Sequence, residues 1–225
     1  MNEATLLAEM EGEADNFLVD FYADKGRTYY LQVVIAPYAE KPVKYGNLQL
    51  TLTKSVMNSS KMKVTATKKY VYTGKRIKPT VKVNYDGKQL ENGKDYTLDL
   101  QYLENKVGPN EFLVIGSPEY IGEHWVFITI LPKKANISKA VAGDKQVTVT
   151  MKTKVAKTGG NTYQIAYKAK GASAWKYVTT KSQKQTIKKL KAGKQYQIKV
   201  RAFKKVEGNK YTGDWGAVKT TATVK

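Results

Sequence analysis

The one histidine of this 225-residue chain, His124, stands beside Trp125 in an alternating stretch, and the chain has no cysteine. A serine nucleophile would need that histidine as its base and an exposed Gly-x-Ser-x-Gly elbow, which the sequence lacks. His124 therefore reads as a strand residue near a sheet face. Without thiols there is no disulfide, no thiol nucleophile and no Cys-built zinc or iron–sulfur site, and one imidazole cannot make a His-rich metal centre. Glu9, Glu11 and Glu13 cluster, but glycoside hydrolysis calls for two carboxyls about 5–10 Å apart across a cleft, not solvated neighbours on one segment. Asp86-Gly87 and Asn92-Gly93 read as hairpin turns rather than as a phosphate cradle or a calcium loop. A Lys–Asn crosslink would need both partners buried beside an acid, whereas the lysines fall mainly on polar strand faces. The expectation is a protein that is not an enzyme, with no cofactor and no metal.

The elements that would position any site are strands. Hydrophobic content of 41% with 16 tyrosines marks a folded chain, and period-two alternation runs nearly end to end. Phe17/Val19/Phe21, Tyr29/Leu31/Val33/Ile35 and Leu48/Leu50/Leu52 alternate with polar residues in the first segment. Val81/Val83/Tyr85, Tyr96/Leu98/Leu100, Phe112–Ile115 and Val126/Ile128/Ile130 follow, punctuated by Thr73-Gly74, Gly108-Pro109 and Gly122. Val147/Val149/Met151, Tyr163/Ile165/Tyr167, Trp175/Tyr177 and Tyr196/Ile198/Val200/Ala202 repeat the habit. Such spacing predicts an all-β chain of tandem antiparallel sandwiches. The boundaries are placed at 1–58 (a sandwich, possibly truncated), 59–132 and 133–225, with short linkers near 58–60 and 132–136. No run approaches 18 apolar residues, so no membrane span is expected. The start, Met-Asn-Glu-Ala-Thr-Leu-Leu, lacks a basic n-region and an apolar h-region, so an exported protein would have its leader upstream or removed.

Charge divides along the same lines. Residues 1–58 hold 5 basic and 8 acidic side chains, net −3; residues 59–132 hold 11 and 8, net +3. Residues 133–225 hold 23 basic side chains against Asp144, Glu207 and Asp214, net +20, which equals the excess of the whole chain. So sharp a step points to modules with separate surface roles.

In the middle segment, Tyr72-Thr73-Gly74-Lys75-Arg76-Ile77-Lys78-Pro79 leads through Val81-Lys82-Val83 to Gly93-Lys94-Asp95-Tyr96, Val107-Gly108, Ile115-Gly116 and Tyr120-Ile121-Gly122. Over roughly 70–131 this order resembles an Ig-like repeat of Gram-positive bacterial surface and secreted proteins, with His124-Trp125 departing from its usual small polar stretch. Tyr163 to Tyr167, then Trp175, then Leu190…Gly193…Tyr196 to Ala202 and Gly213-Asp214-Trp215 resemble a fibronectin type III domain over about 135–225. That resemblance implies that Tyr196 is the corner tyrosine whose hydroxyl bonds back to the preceding backbone. Met151 stands where the family has a buried Trp. Phe17 to Tyr22, Gly26 to Leu31 and Tyr45 to Leu50 resemble, more loosely, part of a bacterial pre-peptidase C-terminal-like β-sandwich. Together these imply a modular region of an extracellular or cell-wall-associated protein.

If the fibronectin resemblance holds, alternation puts Tyr163, Ile165, Tyr167, Ile198 and Val200 in the core. The other face of that sheet is then expected to carry Lys168, Lys176, Lys199, Arg201 and Lys219, with Lys170 at a strand end. These would form one cationic field, suited to an anionic cell-envelope polymer, with a host or extracellular glycan or protein as other candidate partners. The plainer alternative is a lysine-rich surface that keeps strand edges from pairing. The near absence of arginine argues against sequence-specific nucleic-acid binding, since arginine is the better bidentate reader of bases. Tyr29/Tyr30, Tyr70/Tyr72, Trp125, Tyr211 and Trp215 are candidate sugar platforms or ordinary sandwich packing. The reading is a stalk, adhesion or wall-attachment region; the alternatives are accessory modules of a secreted hydrolase or a carbohydrate-binding module.

Overall fold

In a computed structural model, residues 56–225 are described; all lie in the second of two compact units, Thr51–Lys225. The strands expected around Phe17, Tyr29 and Leu48, and with them almost all of the module placed at 1–58, lie outside the described residues.

The middle module is built from strands β1 (Met62–Ala66), β2 (Lys69–Val71), β3 (Val81–Tyr85), β4 (Lys88–Gln89), β5 (Tyr96–Asp99), β6 (Gly108–Gly116) and β7 (Glu123–Leu131). One sheet has the order β1-β3-β4, the other β2-β7-β6-β5. All pairs are antiparallel except β2 with β7. Alternation decides the faces: Phe112 and Val114 on β6 and Val126, Ile128 and Ile130 on β7 are nearly solvent-free and meet Val83, Leu90 and Tyr96 between the sheets. Met57, on the N-terminal side of the boundary expected at 58, is buried in this same core.

The C-terminal module comprises β8 (Ile137–Gly143), β9 (Gln146–Met151), β10 (Thr162–Ala169), β11 (Lys176–Thr180), β12 (Lys184–Ile187), β13 (Tyr196–Val206), β14 (Asn209–Thr212) and β15 (Lys219–Thr220). A β12-β9-β8 sheet faces a β11-β10-β13-β14 sheet, with β15 also pairing β13. Val147, Val149, Met151, Tyr163, Ile165, Ile198 and Val200 fill the space between them. Met151 is fully buried there, its flexible thioether adapting to the space between the sheets. The Tyr196 hydroxyl accepts the Lys191 amide at 2.9 Å, closing the corner before β13. The Tyr163 hydroxyl reaches the Thr153 carbonyl, and burial pushes its pKa up.

The two modules are packed on each other rather than strung on a free linker. Tyr211 of β14 packs against the middle module's core, and the linker itself is tied down, the Lys133 amide donating to the Thr158 carbonyl of the C-terminal module at 2.7 Å. Gly159 sits at this seam with φ +77°, where an added Cβ would lie 2.5 Å from the Tyr72 ring. Both the left-handed backbone and the close approach require glycine there. Among the described residues, no helix is long and apolar enough to cross a membrane.

Candidate functional site: a cation–aromatic column and a lysine-rich pole

Register determines which of the expected cations share a surface. On β13, Ile198, Val200 and Ala202 point inward, so Lys199, Arg201 and Phe203 point out. Lys199 lies opposite Ala166 and Arg201 opposite Gln164 on β10. Two indoles lie over this outer face, Trp175 from just before β11 and Trp215 from after β14. The Lys199 ammonium sits 4.5 Å from the centre of the Trp175 ring and 4.8 Å from that of Trp215. Lys168 approaches Trp175 at 5.0 Å, and the Arg201 guanidinium lies 4.4 Å from Trp215. The result is a column reading Lys168, Trp175, Lys199, Trp215, Arg201, in which each indole has two cations over it.

The column has a physical basis in its neighbours. Ala166, fully buried beneath it, is small enough to leave room for the indoles. Arg201 Nε donates to Gln164 Oε1 at 2.8 Å, which fixes the guanidinium plane. Tyr177 adds a tilted ring contact to Trp215, with centroids 6.3 Å apart. Each cation–ring contact at this separation contributes about 0.5–1 kcal/mol where water has access. Farther along, the Lys210 ammonium lies 4.2 Å from the Phe203 ring. Burial lowers its pKa, and so does the repulsion of Arg201 and Lys205.

Lys176 and Lys219 do not join this face. Lys176 pairs with Tyr167 and Lys219 with Ile198; directly opposed residues share a side, so both carry the inward parity and escape to solvent at the sheet edges. Lys219 instead crosses the sandwich, its ammonium donating to the Ser138 carbonyl of β8 at 2.7 Å. Alternation within one strand cannot fix the parity of a neighbour, because that depends on the pairing between strands. Lys170 lies beyond the end of β10, exposed, its amide bonded to the Gln195 carbonyl at 2.8 Å.

Lys170 belongs to a second basic feature, at the end of the sandwich away from the middle module. The Lys145 amide donates to the Lys225 carbonyl (2.8 Å), the Leu190 amide to the Lys145 carbonyl (2.9 Å) and the Val224 amide to the Lys194 carbonyl (2.9 Å). These bonds gather segments carrying Lys145, Lys188, Lys189, Lys191, Lys194 and Lys225 at one pole, beside the lone acid Asp144. They lie in separate turns, so alternation gives no sign of them; their juxtaposition comes from sheet topology. Among the described residues, the ion pairs are Lys61–Asp86 and Lys106–Glu104, both in the middle module. In the C-terminal module Lys168, Lys199, Arg201 and Lys210 lie over rings, Lys170 and Arg201 donate to side-chain amides, and Lys219 donates to a carbonyl.

Among the described residues, no group of three or more histidine or acidic side chains is arranged to hold a metal ion. His124, at the start of β7, pairs with Val114 on the core side; burial lowers its pKa, as does the charge of Lys68.

No protein-family model and no curated protein matches the chain. Solved structures similar to it include the FN5 domain of Drosophila Lar, 17% identical, covering 42% of this chain and 97% of that one with a TM-score of 0.33. The FN1–FN3 domains of chicken CNTN1 are 21% identical, covering 50% and 43% of the two chains, also at 0.33. A run of titin domains is 10% identical, covering 72% and 65%, again at 0.33. Likeness at this level says nothing about ligand or activity. The sheets themselves establish the architecture: the described residues form tandem antiparallel β-sandwiches of the Ig-like and fibronectin type III kind.

Proposed function

We propose that the chain is a non-catalytic modular region of an exported bacterial surface protein, serving as a stalk or adhesion segment that attaches to anionic envelope polymers through its C-terminal module. The observation that carries this reading is the uncompensated charge of residues 133–225, with 23 basic against 3 acidic side chains. Both ion pairs among the described residues lie outside that module. A surface kept merely soluble has both signs interspersed; a one-sign field attracts polyanions and raises their local concentration. The column favours the same reading. Lys168, Lys199 and Arg201 are held at fixed spacing by the indoles, so less side-chain freedom is lost when an anionic chain docks. Successive outward residues of β13 lie about 7 Å apart along the strand, and the lysine pole extends the field to the end of the module. The packed seam between the modules suits a stalk, since it limits bending.

Cosedimentation with purified Gram-positive cell walls, with and without teichoic acids, tests the proposal across a salt series. Attachment that weakens steeply with salt, needs the teichoic acid and is lost when Lys189, Lys191 and Lys194 are changed to Glu is the expected result. Absence of binding at low salt, or binding indifferent to salt, would overturn it.

A further inference from the structure

We propose that the outer face of the middle module's β2-β7-β6-β5 sheet is a binding site for a neutral glycan chain. On β7 the inward residues are Val126, Ile128 and Ile130, so Trp125 and Phe127 point out. Phe127 is 62% exposed, Trp125 42%, and Tyr102, from the segment after β5, 46%. Three large rings bare on one sheet face are uncommon in a protein with no use for them. The face is a packed floor and not a loose flap. Leu113, opposite Trp125 on β6, is only 4% exposed, and Tyr102 and Trp125 brace each other with centroids 5.1 Å apart.

Beside these rings runs a groove of about 670 Å³, within the usual size of a small-ligand site. Phe127 lies in it with the polar side chains of Gln101, Glu104, Glu111, Lys68 and Lys69. That mixture selects the ligand. A pyranose presents apolar C–H faces, which stack on aromatic rings, and hydroxyl edges, which need both donors and acceptors; the groove supplies both. With Glu104 paired to Lys106 at 3.0 Å, Glu111 faces Lys68 and Lys69, a net of one positive charge that gives a polyanion little to hold. A protein partner would be met by aliphatic side chains between the rings, and here Val71 at the edge is the one bare aliphatic on these strands. This site is separate from the cationic column in place, charge and chemistry, so it stands or falls apart from the wall-attachment reading.

The test is affinity electrophoresis of the full chain in native acid gels containing soluble β-glucan, xyloglucan, mannan or starch, each repeated at raised salt. Retardation by at least one of these, indifferent to salt and weakened roughly tenfold or more in both Phe127→Ala and Trp125→Ala, is the expected result. Phe127 is the safer variant, because truncating so exposed a ring leaves the core intact. Retardation by none of the four, or retardation that both variants retain, would overturn the proposal. So would retardation only in a fifth gel, containing sulfated dextran, that raised salt abolishes. Self-association of the wild type that Phe127→Ala removes would also overturn it, marking the face as an interface between copies of the chain.

Discussion

Each sandwich carries aromatic rings on the outer face of its larger sheet, and the two faces treat their tryptophans in opposite ways. In the C-terminal module Trp175 and Trp215 are roofed by lysine and arginine, whose alkyl stems cover the indoles while their charges reach water. In the middle module Trp125 and Phe127 have no cation over them among the described residues, and Phe127 is the most exposed large hydrophobic residue there. Covered rings are part of the fold's stability, whereas bare rings contribute little until something else covers them. The contrast separates a surface that presents charge from one that presents ring faces.

Removing one ring from each face is the strongest way to break that contrast. Trp215→Ala removes two cation–ring contacts and the ring packed beside Tyr177, and should destabilise the fold by about 2–3 kcal/mol. Phe127→Ala should stay within about 0.5 kcal/mol of the wild type. Thermal melts of the two variants check this; equal losses would mean that the bare face is structural after all.

A smaller effect comes from the tyrosine hydroxyls that tie backbone in each module. Tyr196→Phe leaves the half-buried Lys191 amide without its acceptor and should cost about 1 kcal/mol. In the middle module the Tyr70 hydroxyl accepts the exposed Thr80 amide at 2.9 Å, and water can replace it. Tyr70→Phe should therefore cost clearly less than Tyr196→Phe in urea unfolding. Losses of similar size would show that the two corners are equally shut off from water.

Smaller still is the net effect of a cation in the column. Lys199→Met keeps the stem between the indoles and removes two ring contacts worth about 1–2 kcal/mol together. It also relieves repulsion from Arg201, about 0.6 kcal/mol for charges roughly 7 Å apart in water. The ring contacts win, leaving a net cost of about 0.4–1.4 kcal/mol, centred just below 1. Salt screens the repulsion more than the close contacts, so that cost should grow in melts at higher ionic strength. A cost that shrinks with salt would mean the lysine is held by an anion and not by the rings.

How much of this was legible in the sequence follows from the same geometry. Period-two alternation was enough to place Tyr163, Ile165, Ile198 and Val200 inside, because each strand's buried face is written in its own residues. The resemblance to a fibronectin module located Tyr196 because the corner is a local structure, closed within five residues. Lys176 and Lys219 were misplaced for the opposite reason: their side of the sheet is set by partners on other strands. The lysine pole and the pairing of Tyr102 with Trp125 were hidden likewise, since segments distant in sequence meet there only through topology. Phe127 could have been found, because placing Val126 and Ile128 inward forces it outward.

The smallest effect sharpens the contrast by pH. His124 lies on the core side of β7, beneath the sheet whose outer face carries the bare rings, and it is the chain's one histidine. Burial lowers its folded pKa from the ordinary 6.5, with Lys68 adding to the effect. Below 6.5 the unfolded chain therefore takes up a proton that the folded chain resists, so stability falls as pH drops through that window and is fully restored above it. Melts between about pH 5 and 7 should show the slope in the wild type and lose it in His124→Gln, while the carboxylate titrations common to both chains cancel. The C-terminal module contains no histidine, so Trp215→Ala should shift both ends of the pH curve equally. If His124→Gln leaves the slope unchanged, the imidazole is solvated, and the edge of the middle core is wetter than its packing implies.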